Sequence, residues 1–210
     1  MRIAVINEVS AAMRNAEIVA ALEGRGHEII NAGMKEGITE PELSYIQTSL
    51  MAAVLLNIKR VDLVVGGCGT GQGYTIATMQ YPGVFCGLIA DPLDAWLFAQ
   101  INNGNCISLA LHKGYGWAAG ENLKFIFDHF FDAPAGGGYP VARKEPQAMY
   151  REMLKSVNAA THKPFSEILL NISEEVIRPV IDFPGFVQTV AEAEIEDADL
   201  KAAITSKFGI

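Results

Sequence analysis

Asp62-Leu63-Val64-Val65-Gly66-Gly67-Cys68-Gly69-Thr70-Gly71-Gln72-Gly73 decides how this chain is read. An apolar strand runs into a glycine-rich turn that carries one thiol and one hydroxyl, and Tyr74 to Met79 continues as a helix. Glycine lets backbone N–H groups approach a ligand closely. In an open α/β sheet, ligands gather at the carboxyl ends of strands. A thiol placed there could act as a nucleophile or as a proton-transfer base. The combination points to an enzyme acting on a small molecule.

The same alternation extends in both directions from this loop. Strands are predicted at residues 3–6, 27–31, 61–65, 84–90 and 106–111. Helices are predicted at 11–25, 41–57, 75–80, 92–101, 118–131 and 145–158. Continuous apolar strands that alternate with helices imply a parallel sheet covered on both faces. Right-handed crossovers then give a Rossmann-like three-layer αβα sandwich with five parallel strands. Gly136-Gly137-Gly138-Tyr139-Pro140 interrupts the pattern. Residues 1–150 are read as the sheet domain, and 151–210 as a C-terminal extension, helical or irregular and rich in Glu and Asp from Ser173 onward.

Composition narrows the function. The 210 residues are 50% hydrophobic and 19% charged, which fits a folded globular chain with a substantial core. A net charge of −8 argues against nucleic acid or an anionic membrane as partner. No apolar stretch is long and uncharged enough to span a bilayer, and Met1 to Glu8 enters a strand at once, so a cytoplasmic location without a signal peptide is expected. Cys68, Cys86 and Cys106 form no CxxC pair, which fits reduced thiols better than disulfides or a zinc knuckle. No His/Asp/Glu set has metal-ligand spacing, so neither metal nor cofactor is expected.

The glycine loop is not a phosphate-binding P-loop, because no Gly-Lys-Ser/Thr follows. Nor is it a dinucleotide fingerprint, having a different spacing and following the third strand instead of the first. Taken alone, Cys68 is either a reactive group or a small buried hydrophobe at a strand end. Cys86 and Cys106 lie inside apolar strands and read as core.

Gly67-Cys68-Gly69-Thr70-Gly71-Gln72-Gly73 resembles the signature loop of the ribose-5-phosphate isomerase B and galactose-6-phosphate isomerase family. Gly26-His27-Glu28-Ile29-Ile30, Tyr81-Pro82-Gly83-Val84, Asp91-Pro92 and Asn102-Asn103-Gly104-Asn105 fit the family in register, over roughly residues 1 to 150. The resemblance implies a metal-independent aldose–ketose isomerisation through a cis-enediolate, on a sugar or sugar phosphate. It makes Cys68 the base, and Thr70 with the amides around Gly69, Gly71 and Gly73 the oxyanion-stabilising loop. It also implies a homodimer or higher homo-oligomer with sites near the interface. Asn102 reads equally as a ligand for sugar oxygens and as a turn former, Asn105 as structural, and Asp91 at least as well as the cap of the following helix as a catalytic group.

The chain also departs from that family. Asn7-Glu8 replaces the usual Asp-His after the first strand, so Glu8 is a candidate substrate ligand or a solvated loop carboxylate. Ile101 stands where the family has its ring-opening histidine. The arginines of the phosphate site have no clean counterpart: His112-Lys113 and Gly137-Gly138-Tyr139-Pro140 occupy their regions. Lys113 and Arg143 are candidate replacement charges that read more readily as surface charges, and His112 is open in the same way between site and surface. An already open, carboxylated sugar would need neither the histidine nor the arginine cluster. Relatives with this Asn-Glu start and loop resemble isomerases of 4-deoxy-5-hexosulose uronates, which stand as the alternative to a sugar phosphate. A non-catalytic sugar-binding protein and, on fold alone, a nicotinamide oxidoreductase are the competing classes.

Overall fold

The computed structural model describes residues 1–38 and 40–210. Five strands, β1 Arg2–Asn7, β2 Glu28–Asn31, β3 Leu63–Cys68, β4 Cys86–Ile89 and β5 Cys106–Ala110, form one sheet in the order β2-β1-β3-β5-β4. Every pairing is parallel. The helices are α1 Asn15–Leu22, α2 Tyr45–Asn57, α3 Gln72–Thr78, α4 Pro92–Leu97, α5 Ala119–Asp132 and α6 Lys144–Thr161. The C-terminal helices are α7 Phe165–Asn171, α8 Glu174–Asp182, α9 Phe186–Ala191 and α10 Ala198–Phe208.

Side chains alternate across the strands and build two cores. Ile3, Val5, Leu63, Val65, Ile107 and Leu109 face α1, α4 and α5. Ala4, Ile6, Val64 and Cys106 face α2, α3 and the C-terminal helices. The expected three-layer αβα architecture is therefore present.

Several boundaries differ from the sequence expectation for local reasons. The first helix opens as a 3-10 segment, Val9–Arg14, before α1 begins. Helix α2 starts at Tyr45 and not at Pro41, because Ser44 and Gln47 form a capping box there. Strand β3 continues three residues beyond Val65, since the glycines let α3 lie directly on it. A Cβ at Gly66 would run into the Tyr74 ring and the Ile6 carbonyl, and Gly67 holds φ +152°. The helix after Asp91 ends at Leu97 and widens into a π turn, Phe98–Asn102, closed by Asn103 at φ +46°.

Helix α6 runs without a break through residues 150 and 151. Phe165, Leu169, Ile177, Val180 and Phe186 beyond it share one core with α2 and the sheet. The C-terminal segment is helical and continuous with that core. Among the described residues, no helix is long and apolar enough to cross a membrane.

Candidate active site

Strand order reverses between β1 and β3, and ligand crevices form at such switch points, outside the carboxyl ends of the strands. Asn7 pairs in register with Gly67, so the next residues along, Glu8 and Cys68, emerge side by side. The Glu8 amide donates to the Gly67 carbonyl at 3.3 Å. Cys68 ends β3 and is 7% exposed. Its carbonyl accepts from the amides of Gly71 (3.2 Å) and Leu111 (3.0 Å), which ties the loop to the end of β5.

The loop's donors divide into two sets. The Gly71 amide is engaged with Cys68, and the Gln72 amide donates to Thr70 Oγ1 at 3.3 Å. Among the described residues, the amides of Gly69 and Gly73 have no acceptor. Gly71 caps α3 at φ +72°, a conformation open to glycine at little cost. A Cβ at Gly73 would meet the Tyr45 ring at 3.3 Å. The Thr70 side chain is exposed beside these donors.

Glu8 is not a solvated carboxylate; it is 5% exposed. One oxygen accepts from the Ser10 amide at 3.0 Å, and the other accepts from the Ser10 hydroxyl. It thereby caps the Val9–Arg14 turn. Below it, buried Asn7 donates to the carbonyls of Ala11 (3.0 Å) and Met34 (2.9 Å) and accepts from Asn15 at 2.8 Å. Asn15 exchanges two bonds with Asn31. This amide network fixes the turn that carries Glu8 and Ser10.

His112 joins the same cluster. Its amide donates to the Gly69 carbonyl at 2.9 Å, and its Nε2 lies 2.8 Å from the Ser10 carbonyl. A methyl group built on Gly69 would lie 3.3 Å from His112 Nδ1 and 3.6 Å from Ser10 Oγ. The sequence left His112 undecided between site and surface; its position beside a strand-end loop was the available signal. Lys113 follows it, exposed, with its amide closing a turn onto Ala110.

Asn102 lies elsewhere. It precedes β5, whereas Cys68 is level with Ala110 at the strand's far end. Four residues of parallel strand, at about 3.3 Å each, put these two ends about 13 Å apart. Asn102, Ile101 and Arg151 line a cavity of about 560 Å³ there, between the π turn and α6. Asn105 accepts from the Phe85 amide (2.8 Å) and donates to the Gly83 carbonyl (2.7 Å), a structural role. Asp91 caps α4 through the Asp94 amide at 2.9 Å. Arg143 is exposed.

The other thiols sit in the core side of the sheet. Cys106 is fully buried and paired in register with Cys86; burial pushes its thiol well above the ordinary range. Burial does the same to the neighbouring Tyr74 hydroxyl. Cys86 and Cys106 open β4 and β5, whereas Cys68 closes β3, which leaves Cys68 as the thiol at the switch point. Among the described residues, no group of three or more His, Cys, Asp and Glu side chains could hold a metal ion.

Comparison with known proteins places this arrangement. The sequence profile of the Ribose/Galactose Isomerase family matches residues 3–145. Ribose-5-phosphate isomerase B of Escherichia coli (strain K12) is 30% identical over 129 residues, spanning 61% of this chain and 82% of that protein. A 4-deoxy-L-threo-5-hexosulose-uronate ketol-isomerase, solved in complex with a tartrate, matches over 100% of both chains at 34% identity and a TM-score of 0.93. A ribose-5-phosphate isomerase from Vibrio parahaemolyticus matches over 98% of both chains at 39% identity and a TM-score of 0.91. Type B ribose 5-phosphate isomerase of Trypanosoma cruzi, 21% identical, shares the fold over 76% of this chain with a TM-score of 0.65.

Proposed function

The chain belongs to the ribose/galactose isomerase family of sugar isomerases, and from that premise we propose that it interconverts an aldose and a ketose through a cis-enediolate with Cys68 as the base. The carrying observation is the thiol at the β1/β3 switch point, next to two uncommitted loop amides. The Cys68 thiolate takes the proton from the hydroxyl-bearing carbon beside the carbonyl and returns it to the former carbonyl carbon, while the hydroxyl proton passes to the former carbonyl oxygen. The amides of Gly69 and Gly73, with the Thr70 hydroxyl, hold the charge that develops on oxygen. The Gly71 amide shapes the loop instead, being committed to Cys68. His112 Nδ1 and Lys113 face the sugar oxygens, and Glu8 positions Ser10 against them.

Asn102 reaches this centre only from a second copy, because its own chain holds it at the opposite end of the sheet. Helix α6 is 18 residues long without one buried residue, and Met153, Leu154 and Val157 stand more than half exposed on it. Ile76 and Met79 on and after α3 are exposed as well. Apolar faces of this extent need a partner. Helix α3 leads from the glycine loop to Met79 at the rim of the 560 Å³ cavity, about 10 Å at 1.5 Å per residue. A two-fold contact across Ile76 sets each cavity against the partner's glycine loop.

For the substrate we favour an open-chain carboxylated sugar of the 5-hexosulose uronate type. Ile101 cannot open a ring by proton transfer, and Tyr139-Pro140 supplies no cation for a phosphate. The ketol-isomerase that matches over the whole chain, C-terminal helices included, supports this reading. A sugar phosphate is the second reading, favoured by the equally complete match to the Vibrio parahaemolyticus enzyme. Proton NMR in D₂O with both substrate classes, alongside Cys68→Ser, tests the proposal. Turnover that disappears in the variant supports it; undiminished turnover in Cys68→Ser would sink it.

A further inference from the structure

Cys86 and Cys106 stand side by side at the opening ends of neighbouring strands. Cys86 begins β4 and Cys106 begins β5, and the parallel ladder pairs them directly. In-register partners on adjacent strands send their side chains to the same face, with the strands about 4.8 Å apart. Both side chains accordingly pack in the core shared with α2. A disulfide needs Cα atoms about 4.4–6.8 Å apart, so the spacing already fits one. Cys68 is no alternative partner. It lies level with Ala110, four residues along β5 from Cys106 and about 13 Å away.

The two thiols differ in access and in acidity. Cys106 is fully buried, whereas Cys86 is half-buried and opens on the 560 Å³ cavity beside Phe85 and Asn103. A molecule little larger than water reaches Cys86 from that cavity. Burial pushes the Cys106 thiol well above its ordinary range, while the same thiol, as a hydrogen-bond donor, draws Cys86 below it. An accessible, more acidic thiol backed by a buried one suits a pair in which the first meets an oxidant and the second resolves it.

We propose that Cys86 and Cys106 are a peroxide-responsive pair whose disulfide, bridging β4 and β5, shuts the enzyme down reversibly. The Cys86 thiolate attacks one oxygen of hydrogen peroxide, the O–O bond breaks, and the leaving hydroxide takes up a proton to become water. The Cys106 sulfur then attacks the sulfenic acid formed on Cys86. The S–S bond forms, the S–O bond breaks, and the Cys106 proton leaves with the oxygen as a second water. Two thiols and one peroxide give one disulfide and two waters.

Closing the bond draws the Cβ atoms to about 3.8 Å, about 1 Å nearer than the strand spacing. That pull falls on a tightly held stretch. Asn105 ties the chain before Cys106 to the Phe85 amide at 2.8 Å and the Gly83 carbonyl at 2.7 Å. A Cβ at Gly104 would run into the Phe85 carbonyl and the Phe98 ring. The turn that carries Asn102 therefore moves with the strand ends. The loss of activity rests on the isomerase reading above; the bond itself does not.

The test treats the full-length protein with hydrogen peroxide and then dithiothreitol. Thiols are read by alkylation and mass spectrometry, and turnover on both substrate classes. Cleavage after Tyr74, Phe85 and Phe98 puts the three cysteines on separate peptides. The expected product is a Cys86–Cys106 cross-link two hydrogens lighter than the free peptides. It should come with a loss of about 10- to 100-fold in kcat/KM, the scale for a misplacement of about 1 Å. Dithiothreitol should reverse both. Peroxide also attacks Cys68, so Cys106→Ala is the control. That variant should lose only the fraction of activity that matches oxidation of its Cys68 peptide. A loss as large as in wild type, or a cross-link that leaves turnover unchanged, overturns the switch. If Cys106→Ala unfolds, Cys68→Ser must still show the cross-link, and its absence overturns the pair. Wild type that cross-links but turns over no sugar defeats the isomerase reading and the switch while upholding the bond. An active wild type whose cysteines are oxidised singly defeats only the pair.

Discussion

His112 Nε2 lies 2.8 Å from the carbonyl oxygen of Ser10, and a carbonyl can only accept, so this nitrogen carries the proton. In the neutral ring the other nitrogen, Nδ1, keeps its lone pair, and it faces the hollow above Gly69. That pairing fixes the tautomer and aims an acceptor at the place where sugar hydroxyls would sit. His112→Phe is expected to lower kcat by about 10-fold, the scale for losing one hydrogen bond to the reacting sugar. The melting temperature should move little, because the ring is exposed. Steady-state kinetics with a melting curve on the same sample would check this; unaltered kcat refutes the role.

Much of the layout was legible because its causes are local. Alternating apolar runs gave the five strands and their parallel order of build, and Asp91-Pro92 gave a helix cap that the Asp94 amide confirms. The strand-ending thiol and its glycines were visible as a loop. What escaped the sequence depends on partners distant along the chain. The Glu8 carboxylate stayed open between ligand and solvated loop residue because Ser10 alone says nothing of burial, and the Asn7-Asn15-Asn31 network spans three separate segments. Arg151 sits in a helix of ordinary polar appearance. Only the π turn that brings Ile101's carbonyl to it sets it apart.

Gly66 offers a sharp test of why β3 runs through its glycines. A methyl group there would enter the space of the Tyr74 ring and the Ile6 carbonyl, neither of which can retreat from a filled core. Gly66→Ala should therefore destabilise the fold by about 3 kcal/mol or more, within the range for overpacking a core. Gly120→Ala is the matched control, since nothing lies within 4 Å of its Cβ position in α5. It should be neutral or stabilising by about 0.5–1 kcal/mol. Chemical denaturation of both variants settles the contrast, and equal stabilities would refute it.

Tyr115 makes the alkaline limb of stability predictable. Burial pushes its hydroxyl up to about 12, against an opposing pull from Arg14. Unfolded, the same group titrates near 10. Between these values the unfolded chain gives up the proton and the folded chain keeps it, so stability falls as pH rises from about 10 to about 12. The full loss approaches about 2–3 kcal/mol from this group, at 1.36 kcal/mol per unit. The hydroxyl also has no hydrogen-bond partner among the described residues. Tyr115→Phe should thus gain about 1 kcal/mol at neutral pH and flatten the decline above pH 10. Denaturant midpoints for both proteins from pH 7 to 11.5 test it; parallel curves refute it.

The C-terminal helices should unfold with the sheet and not before it. Phe186 is 1% exposed, lies 6.2 Å from the Phe208 ring and belongs to the core that includes α2 and β3. Removing such a ring costs about 3–5 kcal/mol. If the helices were a separate unit, Phe186→Ala would melt them alone. Sharing one core, they should carry the whole molecule with them. The two probes are independent here. Trp96 and Trp117 both precede residue 150 and report on the sheet region, whereas helical circular dichroism draws about half its signal from α6 to α10. We expect both signals to shift together to lower denaturant in Phe186→Ala, with superimposable curves. A dichroism transition that runs ahead of the fluorescence would instead make the C-terminal helices an independently unfolding module, and would limit their part to covering the α2 face.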